Sequence, residues 1–465
     1  VNVLAMGINL WQERAQLACY ASERGHTIRT LSVGGEDADY GFDPFEDANT
    51  VLARIGAKWP VDLLLCGCPE LYPPPPGIER VSVRTAAVIS DWNLYQPQLE
   101  CNLCRFDVVL SDRLGTKALR LHACQPQYWG PVYSQRSLVH RDLGLERDID
   151  IGFYGNLNPA AHPRRSALLD RIRTLSGRWR VEVSGEHSQQ DYARLLNRTR
   201  IAFNASLRGE MNLRCFEAPA CGALLFIERG NLEAGNYLKH GESAVFYGDE
   251  DLLELLEYYL CHEGERAAIA RQGQAIIEGI AAERRIDGLI DYLMAQPAGA
   301  RPFSALEAAA RWRAEAMFYS SSLSPAQQRY TLHAIETYAG AFPNDPAAHL
   351  MAGCWHFDLA TGQQPHERRA ALERVFECFT HAADLAPDHA APALNLGTAL
   401  AAIGAKEQAR AQLQRAAEAP RAGDAACVLG KRSDPAYIQL RWNLATGADT
   451  LPMLRDMALQ RIAAL

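Results

Sequence analysis

Arg208, Glu210, Asn212, Arg214 and Glu217 stand within one short stretch, and together they could hold a nucleoside diphosphate. A guanidinium presents a planar fork of N–H donors that matches phosphate oxygens, and two arginines supply two such forks. A carboxylate one helical turn further on can accept from hydroxyls such as a ribose diol. The elements that must position these groups lie on either side. Ile201–Asn204 and Ala223–Ile227 are short apolar runs that suit buried strands, and a helix opens near Asn212. A helix start at the C-terminal edge of a parallel sheet adds a positive dipole end, which suits an anion. The same residues also suit an ordinary strand–helix–strand unit with a charged loop.

The run NLRCFEAPACGALLF, from Asn212 to Phe226, closely resembles the donor-sugar motif of GT-B glycosyltransferases. The spore-maturation (CgeB-like) branch writes it N-x-R-x-F-E-A-x-A-C-G, matched by Asn212, Arg214, Phe216, Glu217, Ala218, Ala220, Cys221 and Gly222. The resemblance implies an α/β chain with two Rossmann-like domains facing a cleft. It implies a nucleotide-diphosphate sugar as donor substrate, and neither metal nor cofactor. Arg214, the backbone at Asn212 and Leu213, and Arg165 would then stabilise charge on the departing diphosphate. Glu217 would bind the ribose, and Gly7, Gly155, Asn156 and Glu210 would complete the donor-binding set. Many retaining members carry a second glutamate eight positions before the one in F-E-A. Here that position is Gly209, with Glu210 one place off, so retention and inversion both stay open. An inverting reaction needs a base, for which Asp91 is the candidate.

The N-terminal part reads as β-loop-α-β units. Val1–Met6 is a strand ending at Gly7, a helical pattern covers Trp11–Arg24, and His26–Val33 is the next strand. Gly7 permits a tight turn at a strand end, but a full G-x-G-x-x-G is missing. The acidic run Glu36–Asp47 reads as a loop, and its Asp37-Ala38-Asp39 as a solvated D-x-D match. Val61–Cys66, Thr85–Ser90 and Phe106–Ser111 are further strands, the last leading into a helix that reaches Ala123. Asp91 follows a strand end, where it either faces the cleft or caps the next helix. Cys66, Cys68, Cys101 and Cys104 could form a zinc site, although the first pair is spaced too tightly for a knuckle. Residues 135–145 read as a linker. Ile149–Tyr154 then opens a second β-α-β series, with Gly155-Asn156 at the strand end and Pro163-Arg164-Arg165 starting a helix. His187 follows the next strand, in the loop that lies near the base in the family.

After Pro297 the chain becomes Ala-rich and helical, and residues 389–420 resemble one tetratricopeptide repeat. Leu396, Gly397, Ala409, Leu413 and Ala416 hold its small and apolar places. An earlier unit ends near Pro387, and its first helix, Ala347–Asp358, reads as set apart by a long loop. The expected domains are therefore 1–135 (acceptor side), 136–300 (nucleotide sugar) and 301–465 (tetratricopeptide-like). The last would bind a protein or peptide, as acceptor or partner, or form a homodimer surface. A net charge of −8 over 465 residues argues against nucleic acid as the main partner. No run approaches a membrane span and the start lacks a signal-peptide layout, so a cytoplasmic protein is expected. The 12 cysteines fit that reducing setting. Two further readings fit the same residues. A sugar-nucleotide epimerase can share this fold, and a scaffold built around the repeats would need no nucleotide.

Overall fold

The computed structural model describes residues 1–7, 22–35, 38–94, 99, 102–119, 125–134, 137–157, 159, 162–185, 187–298, 301, 311, 314, 325–362, 365–423, 427–429 and 449–465. Most of the helix expected over Trp11–Arg24, and Asp37 and Cys101, lie outside them. A first sheet is built from β1 (Asn2–Gly7), β2 (Thr27–Val33), β3 (Tyr40–Phe42), β4 (Leu63–Gly67), β5 (Arg84–Val88) and β6 (Val108–Leu110). All pairings are parallel, in the order β3-β2-β1-β4-β5-β6. A second parallel sheet uses β7 (Ile149–Tyr154), β8 (Val181–Ser184), β9 (Thr199–Phe203), β10 (Leu224–Glu228) and β11 (Val245–Tyr247), in the order β11-β10-β9-β7-β8. Two such units across a cleft form the GT-B-like arrangement.

β1, β4, β6 and β10 read as near-continuous apolar runs because both sheet faces are covered there. Side chains alternate across a strand, so Val3 and Ala5 of β1 join one cluster while Leu4 and Met6 join another. The first face is covered by a helix from the far end of the second unit. In α7 (Ala282–Ala295), Ile286, Leu289, Ile290 and Leu293 pack on Val3, Ala5, Leu63, Leu65 and Val108. By sequence this helix belongs to the 136–300 span, yet its packing belongs to the first sheet. The opposite face shares one continuous apolar cluster with the C-terminal helices, through residues such as Ile335, Tyr338 and Leu350. Arg301 fastens the junction by donating to the Asp107 carboxylate and to the carbonyls of Ile78, Val81 and Val83.

Three expectations are corrected. The acidic run forms β3, and Asp39 clips it to β2 by accepting from the Thr30 N–H and hydroxyl at 2.8 and 2.9 Å. A helix that sequence reading missed, α1 (Ala48–Gly56), follows it, with Asp47 capping the Asn49 N–H and Ala48, Val51 and Ile55 turned inward. Of the helix expected to run to Ala123, the described residues hold a single turn, Gly115–Ala118, with Leu119 leaving helical geometry, and residues 120–123 lie outside them.

In the second unit, α2 (Pro163–Arg173), α3 (Gln189–Arg198), α4 (Arg214–Ala220), α5 (Leu252–Cys261) and α6 (Glu263–Gly279) surround the sheet. The C-terminal region consists of α8 (Pro325–Ala341), α9 (Pro346–Gly362), α10 (Pro365–Leu385), α11 (Ala390–Ala402), α12 (Lys406–Glu418) and α13 (Leu451–Ala463). The long loop expected after Asp358 does not form, because α9 continues to Gly362 and α10 begins at Pro365. Two glycines let these helices approach closely. A Cβ on Gly353 would meet the Phe379 ring at 2.3 Å, and one on Gly397 would meet Leu413 at 2.7 Å. Gly353→Ala is therefore expected to destabilise the helical region by about 1–3 kcal/mol through overpacking. Denaturant unfolding followed by circular dichroism checks this, and an unchanged midpoint would contradict it.

Candidate functional site

A cleft of about 590 Å³ lies between the C-terminal edges of the two sheets. Asp91, Tyr133, Gly155, Asn156, His162, Arg165, Glu210, Asn212, Leu213, Arg214 and Glu217 are among its lining residues. On the donor-side wall, the strand order reverses between β7 and β9, where parallel sheets bind ligands. Arg214 sits at that point. Its guanidinium donates to the Tyr154 carbonyl at the end of β7 and to Asn204 Oδ1 just after β9, at 3.0 Å for the latter. It also lies over the Phe153 ring, 4.3 Å from the centroid. Gly155 has φ +143°, and a Cβ there would come within 2.8 Å of the guanidinium, so glycine is required where the chain passes Arg214.

Arg165, from the first turn of α2, completes a positive corner. It donates to the carbonyls of Ala205 and Asn156 at 2.9 and 3.3 Å. Burial, and then the Arg214 charge, lower its pKa to about 10. His162, immediately before α2, is pushed down to about 4 by burial and by both arginines, so it stays neutral at pH 7. Among the described residues neither guanidinium forms an ion pair with a carboxylate, although the Glu210 and Glu228 charges act on Arg165 from further off, and a corner of two guanidiniums beside an imidazole favours an anion. Sequence reading missed His162, and its place directly before the N1 proline was the signal that could have found it.

Glu217, on the inner side of α4, is 6% exposed. The buried Tyr192 hydroxyl hydrogen-bonds to it, and burial together with the carboxylate raises the tyrosine pKa. His140 Nε2 lies 3.7 Å from the same carboxylate. Glu217 is thus fixed at the cleft wall as an acceptor. Glu210 acts differently, since its carboxylate takes the N–H groups of Arg208 and Leu207 at 2.6 and 3.4 Å and braces the loop from within. Burial raises its pKa, although the Arg208 charge opposes the shift.

Two expected residues have other settings. Arg208 does not offer its fork to a phosphate. Its guanidinium crosses the cleft and donates to Asp112 Oδ2 (3.0 Å), Asn93 Oδ1 (2.6 Å) and the Ser90 carbonyl (2.8 Å) of the first unit. Gly7 does not line the cleft. At φ +98° it abuts β4, and a Cβ would fall 1.7 Å from the Gly67 carbonyl oxygen.

The acceptor-side wall is the loop after β5. Asp91 lines the cleft with its side chain 43% exposed, 3.7 Å from Arg208. It stands directly before the 3₁₀ turn Trp92–Leu94, and its own N–H is held from below. Glu70 Oε1 takes the N–H groups of both Ser90 and Asp91 at 3.1 Å. Burial, with the Asp91 charge adding to it, pushes Glu70 up to about 7. Its folded pKa therefore lies above the unfolded value, so its stabilising contribution is complete below the unfolded pKa near 4.5 and is lost as pH rises through 7. Glu70→Gln is expected to remove that slope, worth on the order of 3 kcal/mol. Urea melts between pH 4 and 8 check this, and parallel slopes in the two proteins would contradict it.

Among the described residues no group of His, Cys, Asp and Glu could hold a metal ion. Cys66 and Cys68 are buried beside the β4 end, and burial raises the Cys66 thiol pKa. No helix among the described residues is long and apolar enough to cross a membrane.

Comparison with known proteins matches residues 147–291 to a family model described as glycosyl transferase-like. No curated protein matches the chain. Among solved structures, an alpha-glucosyltransferase in complex with UDP-glucose and DNA is 11% identical, with a TM-score of 0.40, and covers 63% of this chain and 99% of its own. Sucrose-phosphate synthase from Thermosynechococcus elongatus is 10% identical, with a TM-score of 0.41, and covers 64% and 100%. Anabaena HepE in complex with UDP-glucose is 12% identical, with a TM-score of 0.36, and covers 64% and 100%. The unit that brings Arg165, Arg214 and Glu217 together is thus the part of the chain that is similar to the glycosyl transferase-like family.

Proposed function

We propose that this protein is a glycosyltransferase of the spore-maturation type, moving a sugar from a nucleoside diphosphate to an acceptor hydroxyl. The observation that carries this reading is the paired Arg165–Arg214 corner at the strand-order reversal, with Asp91 on the opposite wall. The two guanidiniums bind the diphosphate and take up the negative charge that grows there as the bond to the sugar breaks. They supply this positive charge without a cation. Glu217, steadied by Tyr192, accepts from the ribose hydroxyls, and the backbone at Gly155–Asn156 and Asn212–Leu213 lines the diphosphate. In a single, inverting displacement the acceptor O–H gives its proton to Asp91 as the oxygen bonds to the sugar carbon and the diphosphate leaves. The helical region, tetratricopeptide-like in its repeats, shares its core with the acceptor-side unit, which favours a polypeptide acceptor. Label from the donor should then appear in protein.

Thermal melting with UDP, GDP, dTDP and CMP tests the reading. A ligand that binds only the folded state adds about 2.7 kcal/mol at a hundredfold excess over its Kd. One nucleoside diphosphate should raise Tm, and Glu217→Ala should lose that shift. The absence of any shift in a folded sample would favour the scaffold reading. Conversion of the donor sugar with no acceptor added would favour the epimerase.

A further inference from the structure

Arg208 is unusual in belonging to one unit and satisfying its guanidinium entirely in the other. Its backbone lies in the loop after β9, three residues ahead of Met211 and braced by Glu210. Its side chain is 6% exposed and reaches Asp112 beyond β6 together with Ser90 and Asn93 beyond β5. Burial works against the charge, and the carboxylates of Glu210, Asp112 and Asp91 outweigh it, with Tyr133 adding to their effect. A second cross-cleft bond lies alongside, where Glu233 of the second unit accepts from the Arg113 N–H at 3.2 Å.

The turn that Arg208 grips is the one that carries Asp91. Ser90 is held from both sides, because Glu70 takes its N–H and Arg208 takes its C=O. Cys68, whose thiol meets the Ser90 hydroxyl at 3.0 Å, is the non-glycine residue with a positive φ (+49°) among the described residues. Its strained backbone marks the β4 end as a place where geometry is fixed at a cost.

We propose that Arg208 is a positioning residue that clasps the two units and, in doing so, sets the Ser90–Asn93 turn so that Asp91 faces the donor. The proposal rests on the glycosyltransferase reading and deepens it. If the units separate, the three guanidinium bonds break together, and the turn keeps its bonds within the first unit, to Glu70, to the Cys68 thiol and from Trp92 Nε1 to Asp112. The base is then aligned only when the cleft is closed, so water entering an open cleft meets the donor without an aligned base. The loop from Arg208 to Arg214 links donor binding to base placement through one short piece of backbone.

Small-angle scattering of the full chain without nucleotide, and steady-state turnover of the sugar nucleotide whose diphosphate gives the thermal shift, test this together. Arg208→Ala is expected to raise the radius of gyration. Arg208→Lys keeps a charge beside Asp112, so that no buried carboxylate is stranded. It is expected to lower kcat by about 10- to 100-fold, with the donor KM within about twofold, the range that a misplaced catalytic group produces. An unchanged radius of gyration in Arg208→Ala would overturn the clasp. Wild-type kcat in Arg208→Lys, or a loss confined to KM, would overturn the positioning role. If the wild-type protein turns over no sugar nucleotide, the glycosyltransferase reading falls and the positioning role falls with it. Scattering then still decides the clasp.

Discussion

Arg214→Ala should abolish the nucleotide-dependent rise in Tm and lower turnover by about 10²- to 10³-fold, the range seen when a preorganised donor to developing charge is removed. The size of the effect follows from the location. Arg214 joins the ends of β7 and β9 through Tyr154 and Asn204, so its charge is held at the strand-order reversal before any ligand arrives. Arg165 cannot replace it, because its own fork is tied to the Ala205 and Asn156 carbonyls. Arg214→Lys should recover little. A single ammonium cannot bridge Tyr154 and Asn204 while also presenting a planar edge to a phosphate. Calorimetric titration with the active nucleoside diphosphate separates binding from turnover. Wild-type affinity in Arg214→Ala would remove the donor corner from the mechanism.

Gly7→Ala should destabilise the first unit by roughly 3 kcal/mol or more, combining a disfavoured positive φ with displacement of a packed backbone. The contact is with the Gly67 carbonyl, which is main chain, so no side-chain rotation can relieve it. By sequence Gly7 is expected to be a donor-binding residue, and the close packing of β1 on β4 also gives it a structural role. The two roles predict different outcomes. A donor-contact role predicts normal stability with weak nucleotide binding. The packing role predicts a lower Tm, with unchanged affinity in whatever fraction folds.

Much of the donor-side unit was legible because its letters and its periodicity agree. Phe216, Glu217 and Ala218 read as one motif, and Ile201–Asn204 and Ala223–Ile227 read as buried strands, which the structure supplies as Thr199–Phe203 and Leu224–Glu228. Less was legible where polar letters do structural work. Asp39 and Asp47 look like a solvated acidic run, yet one clips two strands and the other caps a helix. The role of Arg208 was hidden for a different reason. Its partners Ser90, Asn93 and Asp112 lie about a hundred residues away, and no local spacing reports a pairing across that distance. Tyr192 was missed because a lone aromatic residue carries no period, and only the fold brings it to the cleft, whereas His162 had a local cue in its place before the N1 proline.

The helix Ala282–Ala295 has a consequence for how the chain is made. Val3, Ala5, Leu63 and Leu65 are translated early, but the residues that cover them, Ile286 to Leu293, emerge after the whole second unit. At about 5–20 residues per second, synthesis of the intervening unit takes roughly 8 to 30 s. During that interval one face of a nearly complete parallel sheet remains bare and open to chaperones, neighbouring ribosomes or other nascent chains. The first unit is therefore dependent on the arrival of its own distant segment, and a stop codon shortly before residue 282 would be expected to yield aggregates rather than a shortened enzyme.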